Sequence, residues 1–382
     1  MDIEFHYYIT YLIAARAGLP PPEAVTLAWA SQYTDDNTFM CTVDAGRPTE
    51  YRNYISQTAD ILKPRLDLMR IYSLFHFLPG DPQTPGSWRK DGAMHWLTTT
   101  PGSDNASDVL AAALATGNLY RIGIAAHAFA DTWAHQNFVG YTNTFNAFLK
   151  EDVATDIMPN VGHADAFFAP DEATRRWEDP RLIHGPIDNR ERFLAAADAL
   201  YRKLARHWDP ALPPEELSRR AASLRDDLGR CFASSSPDPT AALAASAPDP
   251  PAATPATSFD VLRPGVLDPA EVARRAQEER LSRYRALAAQ VTYGGRDIPP
   301  YDPDRWMDEA VNEEIHGLRD RSDFILSCLD LWPDVFTWRD RAGDAYRQTP
   351  WYQFQEAVKA HQRETWQLLA NRNFLALELP AF

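Results

Sequence analysis

"AHAFADTWAHQNF", residues 126–138, places His127, Asp131 and His135 four residues apart in a run otherwise almost free of charge. On a helix, steps of four residues advance about 400°, so the three side chains form one stripe. Gly123 continues that stripe one turn earlier, while Phe129 and Trp133 point to the opposite side. Between Gly123 and Leu149 the sole charged residue is Asp131. A solvated helix face would be filled with Lys, Glu and Arg, so this helix is expected to be buried all round.

Burying Asp131 as an anion costs several kcal/mol unless it is paired. A divalent cation meets that demand for the carboxylate and both imidazoles together. The competing reading is a buried His/Asp hydrogen-bond network without metal. With a rise of roughly 1.5 Å per residue, His127 and His135 are about 12 Å apart along the axis, too far to share one ion. The spacing favours a cluster: Asp131 shares an ion with His127 or bridges two, and His135 serves another.

Further ligands must come from other segments. His6 opens the first helix, Asp35 and Asp36 end the second in "SQYTDDN", His76 lies at a helix exit in "LFHFLPGDP", and His163 sits in "NVGHADAF" beside Asp165. Seven of the ten histidines fall in the first 184 residues, which places the chemistry in the first half. His127, Asp131 and His76 are expected to converge in one cleft, with the His76 imidazole within about 10 Å of the Asp131 carboxylate.

Outward from this core, apolar residues at helical spacing bounded by Pro and Gly dominate the chain, and the fold class is all-α. Helices are predicted over 4–17, 22–34, 49–77, 106–138, 188–207, 214–232, 269–290, 304–318 and 351–371. Residues 234–258, "SSSPDPTAALAASAPDPPAATPATS", hold Pro, Ala and Ser with two acids and no aromatic, and read as a flexible loop or linker. The expected organisation is a helical metal-binding domain over 1–233, that linker, and a helical C-terminal part over 259–382 packing on the first.

At 382 residues and 45% hydrophobic, the chain can bury a sizeable core. Its net charge of −15 argues against a nucleic-acid duplex or an anionic membrane held by broad electrostatics. The scattered Cys41, Cys231 and Cys328 suggest neither a metal knuckle nor a disulfide framework. "MDIEFHYYITYLIAARAG" lacks the basic start of a secretory signal, and no membrane span is apparent, so a cytoplasmic location is expected. There is no His-Glu-x-x-His, no adjacent His-Asp pair, no phosphate loop and no Gly-x-Ser-x-Gly elbow.

Over roughly residues 1–180 the sequence resembles the zinc-dependent phospholipase C and single-strand nuclease superfamily. It is similar to a bacterial and fungal family of unknown function in "FHYYITYLIA", "SQYTDDN" and "AHAFADTWAHQNFVG". The most specific piece is the His-x-x-x-Asp of the metal helix, His127 and Asp131. The resemblance implies a multi-helix bundle of that type, with additional C-terminal helices, holding two or three zinc ions. By position it implies His6, Asp35, His76, His127 and a bridging Asp131 as ligands, with His135 and His163 holding the remaining ion.

Two departures stand out. The superfamily completes its second site with His-x-x-x-Glu, whereas Phe167 stands four residues after His163, so either Asp165 substitutes or that ion is missing. Exported members ligate through the α-amino group of a processed first residue, whereas this chain begins with Met1 just before His6, which puts the third metal position in question.

The implied function is a metal-dependent phosphoric ester hydrolase, phospholipase C-like or a phosphodiesterase, with Asp35 as general base. Its partner would be a small phosphate ester or a phospholipid head group. The alternative is a metal-stabilised helical binding or effector-associated protein without catalysis.

Overall fold

The computed structural model describes residues 1–58, 69–148, 160–233, 269–291, 297–314 and 334–372. The chain is mostly helical. A π-helical turn, Glu4–Ile9, leads into α1 (Thr10–Arg16), followed by α2 (Pro21–Asp36). Then come α3 (Met69–Ile71), continued by a second π-helical turn at Tyr72–His76, α4 (Asp104–Ala115) and α5 (Leu119–Ala134). After these lie α6 (Asn189–Trp208), α7 (Pro214–Phe232), α8 (Pro269–Val291), α9 (Arg305–Ala310) and α10 (Pro350–Ala370).

The all-α expectation needs one correction, because short strands are present. β1 (Thr42–Val43), β2 (Tyr51–Arg52), β5 (Val311–Glu314) and β6 (Val335–Trp338) form a small sheet in the order β2-β1-β6-β5. In it β1 runs parallel to β6, through Val43 and Phe336, and the other pairs are antiparallel. β3 (Arg176–Trp177) and β4 (Ile187–Asp188) form a separate ribbon.

Several predicted helices divide. The predicted 49–77 helix begins instead as strand and extended chain through residue 58, because Asn53 ties this segment to the preceding loop. Its side chain accepts from Cys41 N at 2.8 Å and donates to Phe39 O at 2.8 Å. Tyr51, Tyr54 and Ile55 have helical spacing only by coincidence. The predicted 106–138 helix is two helices. Gly117, at φ +65°, ends α4, and Asn118 caps α5 by accepting from Arg121 N at 3.1 Å. The 304–318 helix stops at Ala310, where Val311 pairs with Trp338; residues 315–318 lie outside the described residues. The predicted 234–258 linker also lies outside them.

α5 is the central post, packed by α2, α4, α6 and α10. From Arg121 to Thr132 every residue is buried, as its composition demanded. Gly123 makes the close approach to α2: a Cβ there would sit 2.4 Å from Leu27 O and 2.7 Å from Ala30 Cβ. Gly123→Ala is therefore expected to destabilise the fold by about 1–3 kcal/mol through overpacking, despite the better helix propensity of Ala. Denaturant unfolding checks this; a variant as stable as the parent would show that α2 and α5 can separate freely.

α8 braces the start of the chain. Arg280 grips the buried Glu4 carboxylate with Nε at 2.9 Å and Nη2 at 2.6 Å, and the Tyr284 hydroxyl donates to Glu4 at 3.0 Å. α10 closes the other side: buried His361 donates from Nε2 to Leu74 O at 3.0 Å, two residues before His76. One continuous core spans these helices and α1. Among the described residues no helix is long and apolar enough to cross a membrane.

Candidate metal centre

Five histidines and three aspartates converge at the open end of α5. His6 comes from the first π-helical turn and His76 from the end of the second; such turns open the helical ladder and re-aim side chains. Asp35 stands in the last turn of α2, His127 and Asp131 on α5, and His135 at its C-cap.

Asp131 lies at the centre, each oxygen serving different partners. Oδ1 meets His6 Nε2 at 3.1 Å and the Met1 α-amino group at 2.5 Å. Oδ2 meets His76 Nδ1 at 3.2 Å and His127 Nε2 at 3.1 Å. Asp35 lies across from it, with Oδ1 3.6 Å from both His76 Nδ1 and His127 Nε2 and Oδ2 3.8 Å from His6 Nε2. His135 Nε2 turns to Asp171 Oδ1 at 3.0 Å, and His163 Nε2 to Asp171 Oδ2 at 3.2 Å.

Three sets result: His6, His127 and Asp131; Asp35, His76 and His127; His135, His163 and Asp171. Within each, one ligand-capable atom per residue lies within 4.8 Å of the others. His127 and His135 belong to different sets, as their separation along the helix requires.

The backbone decides which ring nitrogens face inward. A carbonyl oxygen can only accept, so each imidazole nitrogen bonded to one must carry the proton. His76 Nε2 donates to Ser56 O at 2.9 Å, His127 Nδ1 to Ser31 O at 2.9 Å, His135 Nδ1 to His76 O at 2.8 Å and His163 Nδ1 to Phe167 O at 2.8 Å. In their neutral forms these four rings therefore present bare lone pairs to three carboxylates. His76 Nδ1 and His127 Nε2 are only 3.0 Å apart. A cluster made of electron-pair donors needs cations at its centre, either protons or metal ions, and outer carbonyls orienting ligand imidazoles are the usual support of a metal site. His6 departs from this pattern, since its buried Nδ1 has no hydrogen-bond partner.

The electrostatics show the same demand. Burial opposes the charge of Asp131, yet His135, the Met1 ammonium, His127 and His6 together hold its carboxyl well below the usual carboxylate range. Burial likewise works against protonated His127, but Asp131 and Asp35 outweigh it and raise its pKa. His6, lacking comparable support, is pushed down to about 3 by burial and by the neighbouring His127 and Met1 ammonium. Burial would also lower the Met1 amino group, but Asp131, Asp171 and Asp35 outweigh it and raise the pKa to about 11.

Asp36, expected in the cluster, is turned away from it. Its Oδ2 accepts from Tyr301 at 2.6 Å and Gln32 at 3.0 Å, and it joins none of the three sets. Adjacent helical residues point about 100° apart, so Asp35 and Asp36 cannot both face the cleft. Asp165 does not stand in for the carboxylate missing at Phe167 either, since its Oδ2 accepts from Phe148 N at 2.8 Å. The carboxylate that His163 meets is Asp171. The chain leaves a 3-10 turn at Ala164–Ala166 and reverses at Phe167, at φ +52°, which brings a residue eight positions after His163 back beneath it. No helical register signals such a pair; only Pro170-Asp171 after the His hints at a turn. The Met1 amino group, at the position that the sequence left in question, lies 3.1 Å from Asp171 and touches Asp131.

Asp35, His76, His135, His163 and Asp171 line a cleft of about 500 Å³ whose other walls include Tyr72, Phe77 and Val161, while His6, His127 and Asp131 lie buried behind it. Asp35 is 25% exposed and its Oδ1 accepts from Gln57 Nε2 at 3.3 Å, whereas Asp131 is sealed below. Among the described residues lining the cleft none is Lys or Arg, so an anionic substrate would find no cationic side chain of those types.

No curated protein and no solved structure matches the chain. Residues 1–369 match the model of a family of unknown function (DUF6765), and the chain belongs to that family.

Proposed function

We propose that the protein is a metal-dependent hydrolase of phosphoric esters, of the phospholipase C type in fold, working with two or three divalent ions of which zinc suits the donor set best. The observation that carries this reading is the inward array of lone pairs, held by Ser31, Ser56, His76 and Phe167 carbonyls around three carboxylates. Nitrogen and carboxylate donors in sets of three are the ligands of catalytic zinc. His127 has a single free ring nitrogen and so would serve one ion only, either with His6 and Asp131 or with Asp35 and His76, while His135, His163 and Asp171 would hold another.

Bound there, such ions supply Lewis acidity to phosphoryl oxygens and lower the pKa of a water toward neutrality. The chain contributes the rest. Asp131 is too deeply buried to reach substrate and keeps the imidazoles in register. Asp35 faces the cleft, is oriented by Gln57, and takes the proton of the attacking water as general base. Among the described residues the walls carry no Lys or Arg, so the phosphate's charge would be met by the bound ions and the Met1 ammonium.

The test is elemental analysis of protein purified without added zinc, followed by hydrolysis of bis(4-nitrophenyl) phosphate before chelation, after it, and after zinc is restored. Two or three ions per chain with chelator-sensitive, zinc-restored turnover is the expected result. Less than one ion per chain, with melting indifferent to chelator, would reject the metal centre. Stoichiometric metal without turnover of this or a monoester substrate would favour the non-catalytic, metal-stabilised alternative.

A further inference from the structure

Large exposed hydrophobic side chains are concentrated in one part of this molecule. Among the described residues there are eight, and all but Val335 lie in three loops, the third of which reaches the cleft. Trp88, Met94 and Trp96 stand on the first loop and Tyr141 on the second. The third carries Ile183 and, at the cleft itself, Phe167 and Phe168. Bridges between Arg89 and Leu182, Thr98 and Val139, and Thr142 and Val161 stitch these loops into one layer.

Phe167 and Phe168 are 60% and 75% exposed although the buried Phe77 and Val161 line the same cleft. The backbone is strained at this point: Phe167 adopts φ +52° and ψ −130°, a region that a bulky residue avoids. The reversal that carries Asp171 to His163 leaves two adjacent phenyl rings in water at the cleft, and such an exposed apolar patch marks a surface whose partner is apolar.

The residue types narrow the partner. Trp, Tyr, Phe and Met are side chains that settle at a lipid–water boundary. Charge narrows it further. Residues 80–100 carry two acids and two bases, residues 139–148 none, and residues 161–185 five acids and three bases, so the layer has seven acids against five bases. With no basic excess there, and −15 on the whole chain, an anionic surface is disfavoured and a zwitterionic one is not. We infer that this aromatic loop layer docks the protein on the surface of a zwitterionic phospholipid bilayer, with Phe167 and Phe168 inserted at the mouth of the cleft.

The inference stands on the exposed layer and not on the chemistry of the cleft, so it is tested by binding alone. Full-length protein is sedimented with vesicles of pure phosphatidylcholine, with and without chelator. The wild type is expected to associate in both conditions. The double variant Phe167→Ser/Phe168→Ser should lose partitioning by about tenfold or more, since each ring forfeits part of its transfer free energy. Trp96→Ser should lose less, and Val335→Ser, outside the layer, should bind like the wild type. Circular dichroism melts confirm that the variants fold.

Absence of wild-type binding, equal binding by the double variant, or binding only to vesicles containing phosphatidylserine would overturn the inference. So would a dimer in sedimentation equilibrium that the double variant abolishes, since the layer would then join two copies of the chain. Failure of the hydrolase reading leaves all these outcomes unchanged.

Discussion

Asp131→Asn is expected to empty the cleft of metal and to lower the melting temperature of even the chelated protein by roughly 5–10 °C. The carboxylate is the shared partner of the Met1 ammonium, His6, His76 and His127, all buried. An amide keeps the shape and one acceptor but carries no charge. It leaves the ammonium paired with Asp171 and removes the larger of the two carboxylate effects that raise the pKa of His127. Breaking one side of a buried ionic network costs about 3–5 kcal/mol.

The sign of the pH dependence follows from the depressed Asp131 pKa. Its stabilising contribution is complete above the ordinary carboxylate value of about 4 and is lost as pH falls through the lower folded value. The gap between wild type and variant should therefore narrow only below about pH 4. Elemental analysis and calorimetry decide. A variant that melts like the parent in chelator would overturn this, showing that relief of the buried charge offsets the lost pairing.

Asp35→Asn should act on turnover instead of stability. Asp35 is the most accessible carboxylate of the cluster, and its nearest imidazole nitrogens are 3.6 Å away, against 3.1 Å for Asp131. Replacing a positioned general base reduces rate by about 10²–10⁴-fold. At saturating zinc the variant is expected to show that loss in phosphodiester hydrolysis and a melting temperature close to that of the parent. Activity within tenfold of wild type would remove Asp35 from the proton-transfer role.

The stretch 126–138 was sufficient to place a buried helix at the centre of the molecule. Its information is local, because a side-chain period of about 3.6 and the absence of Lys, Glu and Arg describe one helix in any tertiary setting. The meeting of His6, Asp35, His76 and His163 with that helix was anticipated from residue type and from resemblance to other chains, and the described geometry brings their ring or carboxylate atoms together. Asp36 turns instead to Tyr301 and Gln32, because two adjacent residues of one helix point about 100° apart and do not share a cleft.

What only tertiary structure decided lies where the chain is not periodic. The strands at Tyr51–Arg52 and Val311–Glu314 form because distant segments offer ladder partners, Val43 being paired with Phe336 across nearly the whole chain. The inward lone pairs depend on carbonyls of Ser31, Ser56 and Phe167, and every residue has a carbonyl, so nothing in the sequence marks these. Asp171 reaches His163 through a reversal at Phe167, and the Met1 amino group reaches Asp131 because Arg280 and Tyr284 anchor Glu4 far along the chain. The amino-acid sequence by itself determined the helical class, the buried stripe and the need of Asp131 for a countercharge, because these follow from local period and composition. Tertiary structure decided which atoms meet that need, because hydrogen-bond directions and chain reversals are set by contacts between residues far apart in sequence.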